Sequence, residues 1–192
     1  MNWNQYLELS EKTLSREFHA DEKVEVLLHA VMGILTELDE LLENYDKGFD
    51  SVNVLEEIGD VIWYFAILGR EFGIDFPNLE VKDKARDPQR IIINLIKNSC
   101  KLLDILKKKI YYNKPISEEV FVSLTRIISL NIADYMNYYD IDVEKSFEVN
   151  INKLKARYGE KFSSENAINR NLEVERQILE DLSTPLNSPP LR

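Results

Sequence analysis

The sequence predicts an all-α fold, an antiparallel helical bundle built from two helical hairpins with flanking helices at both ends. Only six glycines and six prolines occur in 192 residues, and three of the prolines fall in the last eight residues, so few breaks interrupt the body of the chain. Apolar residues recur at helical spacing along most of that body. With 44% hydrophobic residues, the chain can bury one good core, and we expect a single domain over residues 1–182.

The first predicted hairpin spans residues 21–75 and follows an amphipathic helix at about 3–18. Its first helix covers about 21–45, and Gly48 is placed to end it. Ser51 is the predicted cap of the next helix, which Gly73 stops.

The second predicted hairpin spans residues 89–140, with helices at about 89–112 and 117–139. Leu41-Leu42-Glu43 aligns with Leu102-Leu103-Asp104, which indicates a degenerate internal repeat of the hairpin. In that register the second hairpin carries no acidic site, so it would be a structural partner and each chain would have one active half. Its lysine-rich stretch, 97–114, is interpreted first as a solvated helix face and otherwise as a basic wall that meets phosphate.

A C-terminal arm is predicted over residues 142–182. It begins with a helix at about 142–158, turns at Gly159 and continues as a polar helix at about 164–182 that packs over the bundle. Residues 183–192 hold half of the prolines and are predicted to form a disordered tail.

The amino-acid composition excludes several classes of partner and binding site. The net charge of −10 argues against a nucleic-acid polymer as partner. The single cysteine, Cys100, excludes an internal disulfide and a cysteine-based zinc cluster, and it is expected to be partly buried. No basic and apolar leader opens the sequence, and no apolar run is long enough to span a bilayer. These features predict a cytoplasmic protein that does not bind membranes.

Two acidic motifs carry the chemistry: an ExxE motif, Glu37 and Glu40, and an ExxD motif, Glu57 and Asp60. Residues three apart lie on one side of a helix, so each motif directs two carboxylates the same way. Both motifs border the apolar stripes of neighbouring helices, so the carboxylates should converge at the edge of the core. Four converging carboxylates repel one another unless cations neutralise them, and hard oxygen ligands suit Mg²⁺ or Mn²⁺.

At these residues the sequence resembles the MazG-like all-α nucleoside triphosphate pyrophosphohydrolases, whose signature is ExxE, a spacer and ExxD. The block that begins at Glu56 and continues EIGDVIWY through Tyr64 is similar to the family's strongest motif. The stretch from Asn150 to Tyr158, NINKLKARY, is similar to its NxxKLxxRY segment. Asp39 departs from the pattern, because family members often have glycine there; it adds a carboxylate near the metal or a solvent-facing acid.

The resemblance implies Mg²⁺-dependent hydrolysis of a nucleoside triphosphate between the α- and β-phosphates, giving a monophosphate and pyrophosphate. Glu40 or Glu56 would accept the proton of the attacking water. The metal ligands it implies are Glu37, Glu40, Glu57 and Asp60, and the phosphate- or nucleotide-binding residues are Asn150, Lys153 and Arg157.

Further polar and aromatic residues are compatible with more than one role. Asn169 and Arg170 reach the nucleotide or serve as a cap or salt bridge. For Trp63 and Tyr64 we favour core packing over base stacking. His19 and His29 are expected to have no catalytic part.

The sequence also bears on three other functions. A ferritin-like di-iron bundle is disfavoured, because neither histidine stands three residues after an acid. A related enzyme on a specialised nucleotide such as phosphoribosyl-ATP would share the acids but not the pocket, and a nonenzymatic helical interaction module would show no metal dependence. Family members are commonly completed by a second subunit, which the second hairpin would replace here, and a homodimer is also left open.

Overall fold

The computed structural model describes residues 1–77, 87–182 and Leu186. Within these residues the chain forms helices and no β-strand, so the predicted all-α class is confirmed. The helices in chain order are α1 Trp3–Glu11, α2 Glu22–Lys47, α3 Ser51–Phe72, α4 Pro88–Tyr112, α5 Glu118–Tyr139, α6 Val143–Tyr158, α7 Ser164–Ile168 and α8 Leu172–Leu182.

The ends of α2 and α3 are set by local hydrogen bonds. Asp21 begins α2 by accepting a hydrogen bond from the amide of Val24, and Gly48 follows α2 with φ 104°, a conformation that favours glycine. The cap of α3 is Asp50, whose carboxylate accepts from two amides of the first turn. The prediction that Ser51 caps this helix was therefore wrong by one residue, because Asp50 offers the better acceptor.

Two predicted helices are shorter in the structure. All residues of α1 are exposed, and without a packed face the helix ends at Glu11 rather than near residue 18. The chain then runs beside the end of α4, where the amide of His19 donates to the carbonyl of Ile110. The polar helix predicted over 164–182 is divided into α7 and α8, because Asn171 caps α8 by accepting from the amide of Val174.

The hydrophobic core lies between α2, α3, α4 and α5. In it, α2 packs against both α3 and α4, and α4 packs against α5. Outside the core, α6 packs against α3, and α8 packs against α6 and α3. This arrangement places α6 and α8 over the surface where the acidic motifs of α2 and α3 emerge.

Three further expectations concern the surface and the tail. Cys100 is exposed, not partly buried, because it lies next to the buried Ser99 on the outer face of α4. The predicted disordered tail lies outside the described residues except for Leu186, whose side chain packs against the core. Within the described chain, every helix is too short or too polar to cross a bilayer.

Candidate functional site

A cavity of ≈ 980 Å³ opens between α2, α3, α6 and the segment from Gly159 to Arg176. Acidic side chains of α2 and α3 form one wall. Arg157 of α6 and Arg170, which precedes α8, lie on another wall together with Glu175. Aromatic side chains complete the lining. The cavity therefore combines carboxylates, guanidinium groups and aromatic rings.

Three of the four predicted metal ligands come together. Carboxylate oxygens of Glu37, Glu40 and Glu57 lie within 4.8 Å of one another, and we call these three residues the acid cluster. Helical spacing places Glu37 and Glu40 on one side of α2, and the packing of α3 against α2 brings Glu57 opposite them. Glu57 is 5% exposed, Glu37 is half-buried and Glu40 is exposed, so the cluster runs from the edge of the core to the surface of the cavity.

The acid cluster is electrostatically unfavourable by itself. Burial, followed by the repulsion of neighbouring carboxylates, raises the pKa of Glu57 to about 9. Burial and the charge of Asp60 raise the pKa of Glu37 to about 7, and burial also raises that of Glu40. The interaction between Glu37 and Glu57 lowers the pKa of Glu37 and raises that of Glu57. Among the described residues, no lysine or arginine forms an ion pair with these three carboxylates.

The fourth predicted ligand, Asp60, has a different environment. Its Oδ1 accepts a hydrogen bond of 2.7 Å from Nδ2 of Asn150, and its Oδ2 accepts one of 2.5 Å from Nζ of Lys153. Gly59 permits this contact, because a Cβ atom there would lie 3.1 Å from Nδ2 of Asn150. Asp60 is thus fixed by α6 at the border of the acid cluster.

Two of the three predicted nucleotide-binding residues are buried behind the cavity wall. The side chain of Lys153 is fully buried, with its ammonium group 2.5 Å from Asp60 and 3.3 Å from Glu56. Asn150 is 6% exposed. Neither lines the cavity, whereas Arg157 does. In this arrangement Lys153 and Asn150 hold α3 and its carboxylates, and Arg157 is the predicted cation that faces the cavity.

Arg157 and Arg170 converge on one carboxylate, that of Glu175. Arg157 donates from Nε to Oε1 at 3.0 Å and from Nη2 to Oε2 at 2.5 Å, and Arg170 donates to Oε2 at 2.8 Å. Arg170 also lies 3.7 Å from Glu56. Burial by itself would raise the pKa of Glu175, but the hydrogen bonds from both arginines lower it.

A second contact fixes α8 over the site. Arg176 lines the cavity and donates to both carboxylate oxygens of Asp50, the cap of α3, at 3.0 and 3.4 Å. Leu179, one turn further on, is 1% exposed. The later part of α8 is therefore attached to the bundle independently of Glu175.

Trp63 and Tyr64 form an aromatic part of the cavity wall, and the position of Trp63 differs from the expected one. Trp63 was expected to pack in the core, but it is 37% exposed and lines the cavity, as does Tyr64. The ring of Tyr64 packs edge-on against His29, which also lines the cavity. Gly33 makes room for this ring, because a Cβ there would come within 2.3 Å of it.

Other residues lie away from the site. Asp39 is exposed and does not line the cavity, so it is the solvent-facing acid of the two alternatives. None of the lysines between 97 and 114 lines the cavity, and two of them pair with Asp104 on their own helix. This placement agrees with a solvated helix face.

Sequence reasoning missed Glu175 and Arg176 and left the role of Arg170 open. These side chains reach the site only because α8 folds back over α3 and α6. Their sequence context, a polar helix rich in charge, resembles an ordinary surface helix. The separation of Arg157 from Glu175 is 18 residues, so no local spacing rule identifies the pair.

The acid cluster fits a hard divalent cation. Its donors are all carboxylate oxygens that lie within 4.8 Å of one another, and oxygen ligands of this kind are the ones that Mg²⁺ prefers. Burial and the repulsion of neighbouring carboxylates raise the pKa of all three residues, and a bound cation would offset this repulsion.

Comparison with models of known protein families, with curated proteins and with solved structures gives no significant match to the chain.

Proposed function

We propose that the protein hydrolyses a nucleoside triphosphate between the α- and β-phosphates in a Mg²⁺-dependent reaction, giving a monophosphate and pyrophosphate. The observation that carries the proposal is an acid cluster without cations on the wall of a cavity that also presents arginines. The cavity volume, ≈ 980 Å³, lies at the upper end of the usual range for small-molecule sites and is sufficient for a nucleotide.

Glu37, Glu40 and Glu57 would hold the metal, with Asp60 available at the border of the cluster. When bound there, Mg²⁺ offsets the charge of the triphosphate and orients a water towards the α-phosphorus. We assign to Lys153 and Asn150 the positioning of Asp60, because both donate hydrogen bonds to it.

For the proton acceptor we favour Glu40 over Glu56. Glu40 belongs to the acid cluster and lines the cavity, so a carboxylate oxygen that the metal does not use can accept the proton of the attacking water. Glu56 lies 3.3 Å from Lys153 and 3.7 Å from Arg170, so its carboxylate already serves two cations. Arg157 binds phosphate in this scheme.

The finer description of the fold is part of the same proposal. We propose that α2–α3 and α4–α5 are two hairpins of one degenerate repeat within a single domain, the second supporting the first. The packing of α2 against α3 and of α4 against α5 supports this. The two hairpins share one hydrophobic core, in which α2 packs against α4. This arrangement is consistent with one catalytic site per chain. The single cysteine supports a cytoplasmic location.

The test is phosphorus NMR of the protein incubated with ribo- and deoxyribonucleoside triphosphates, with and without Mg²⁺. Metal-dependent appearance of monophosphate and pyrophosphate is the expected result. Diphosphate and inorganic phosphate would indicate cleavage of the other anhydride bond. An unchanged panel would favour a specialised nucleotide or a nonenzymatic helical module.

A matched pair of variants ties the reaction to the acid cluster. Glu57→Gln should abolish turnover while leaving helical content by circular dichroism intact, because it removes a ligand charge and preserves volume. Asp39→Asn removes an acid on α2 that does not line the cavity, and it should turn over normally. Normal turnover by Glu57→Gln would refute the assignment of the metal ligands.

A further inference from the structure

The carboxylate of Glu175 lies on the cavity wall, between Arg157 and Arg170. Its side chain is 4% exposed, and three hydrogen bonds from Arg157 and Arg170 hold it. The contact with Arg157 is bidentate, the geometry with which arginine binds both carboxylates and phosphates. Two arginines that converge on one carboxylate are also suited to bind a phosphoryl group.

The two arginines and the acid cluster lie along the same cavity. Arg170 touches both Glu175 and Glu56, which precedes Glu57 of the cluster. Arg157 and Glu175 line the same cavity as the three acids. A chain of phosphates that begins at the acid cluster can therefore extend to the two arginines without leaving the cavity.

We propose that Glu175 is an internal competitor for Arg157 and Arg170, and that its carboxylate must leave both arginines before a polyphosphate chain binds to them. The proposal rests on the proposed function, because it identifies the ligand class of the same cavity as a polyphosphate chain. In the structure this carboxylate pairs with both arginines on the cavity wall.

The structure restricts where the release occurs. The link at Asn169–Asn171 is not helical, and α8 begins only at Leu172. Beyond Glu175, the contact between Arg176 and Asp50 and the buried Leu179 attach the rest of the helix. Displacement of Glu175 therefore involves the first turn of α8 and leaves the remainder in place.

Calorimetric titration with inorganic tripolyphosphate in the presence of Mg²⁺ tests the proposal. Glu175→Gln keeps the volume and removes the competing charge, so we expect binding about tenfold tighter or more, the size of a charge-assisted hydrogen bond that no longer has to be broken. Asp181→Asn is the control, because it removes one charge from an exposed position of the same helix, and it should bind like the wild type. Equal or weaker binding by folded Glu175→Gln would overturn the proposal.

A measurement on the unmodified protein keeps the test valid if Glu175→Gln does not fold. The amides of Val174 and Glu175 are hydrogen-bonded to Asn171, so they report on the first turn of α8. Tripolyphosphate should increase hydrogen exchange at these amides, since displacement of Glu175 loosens the turn. Unchanged or slower exchange on saturation would overturn the proposal.

These measurements separate the inference from the proposed function, because tripolyphosphate binding is observed without turnover of a nucleotide. Tighter binding by Glu175→Gln together with an inactive nucleotide panel would support the competitor and refute the reaction. An active panel with unchanged affinity in Glu175→Gln would support the reaction and refute the competitor.

Discussion

The carboxylates around the cavity fall into two groups with opposite environments. Those of the acid cluster, Glu37, Glu40 and Glu57, have no ion-pair partner among the described residues. Asp60 and Glu175, by contrast, each accept short hydrogen bonds from a buried or half-buried cation. The two groups belong to the same cavity, yet the fold neutralises only one of them.

The presence or absence of a paired cation indicates the role of each group of carboxylates. A carboxylate that the chain itself neutralises holds helices together, since removal of its partner leaves a buried charge. A cluster of acids without cations raises the energy of the folded state unless an external cation binds. The comparison therefore predicts that variants of the paired group affect stability first, and that variants of the acid cluster affect metal dependence first.

Lys153→Met should give the largest effect. It removes the fully buried cation that Asp60 and Glu56 share, so we expect a loss on the order of 3 kcal/mol in the free energy of unfolding. Urea denaturation followed by circular dichroism measures it. Lys155→Met is the control on the same helix, since Lys155 is exposed, and it should change stability by less than about 0.5 kcal/mol.

A Lys153→Met protein as stable as the control would remove the distinction between the two groups. It would mean that Asp60 and Glu56 are as tolerant of missing cations as the acid cluster.

The sequence predicted the part of this distinction that depends on residues close together in the chain. It did not predict the part that depends on contacts between distant helices. The acid cluster was predicted because i,i+3 spacing and the edges of apolar stripes are local properties of α2 and α3. The burial of Lys153 depends on how α6 packs against α3, which one helix cannot reveal. Trp63 was misjudged for the same reason, because the cavity beside it exists only after α6 and α8 are in place. The early end of α1 reflects packing that the helix lacks.

The pH dependence of stability gives the next largest effect. Because the pKa values of Glu37 and Glu57 are raised from 4.5 to about 7 and about 9, the folded state binds more protons than the unfolded chain between these limits. The stability that these two groups contribute is therefore fully present below about pH 4.5 and is lost as pH rises towards 9. Urea midpoints in EDTA at pH 5, 7 and 9 measure this decline.

Glu57→Gln should flatten this profile and Asp39→Asn should not, because only Glu57 belongs to the acid cluster. At lower pH the carboxylate of Glu175 has the opposite effect. Its pKa is lowered, so the stability that it contributes is lost as pH falls below about 4.5. A flat wild-type profile between pH 5 and 9 would contradict the uncompensated charge of the cluster.

Mg²⁺ should reverse the decline at high pH. A ligand that binds only the folded state adds roughly 1.4 kcal/mol at ten times its Kd, and binding requires ionised carboxylates. Addition of Mg²⁺ should therefore raise the thermal midpoint more at pH 8 than at pH 5. The Asp39→Asn variant should show the same rise as the wild type. An equal rise in Glu57→Gln would show that the ion binds elsewhere.

Gly59→Ala tests the close contact between α3 and α6 and should give the smallest change in stability. Alanine favours a helix over glycine by up to about 1 kcal/mol, but its Cβ would lie 3.1 Å from Nδ2 and 3.3 Å from Cβ of Asn150, so α6 must move by a few tenths of an ångström. The two effects oppose each other, and we expect a net change below about 0.5 kcal/mol with weaker hydrogen bonds to Asp60.

A double-mutant cycle with Asn150→Ala resolves these opposing effects. Without the Asn150 amide, part of the crowding disappears, so Gly59→Ala should be more favourable by about 0.5 kcal/mol or more than it is in the wild type. Urea denaturation of the four proteins gives the coupling. Strict additivity would mean that α6 adapts without cost, and that the position of Asp60 does not depend on the approach of Asn150 to Gly59.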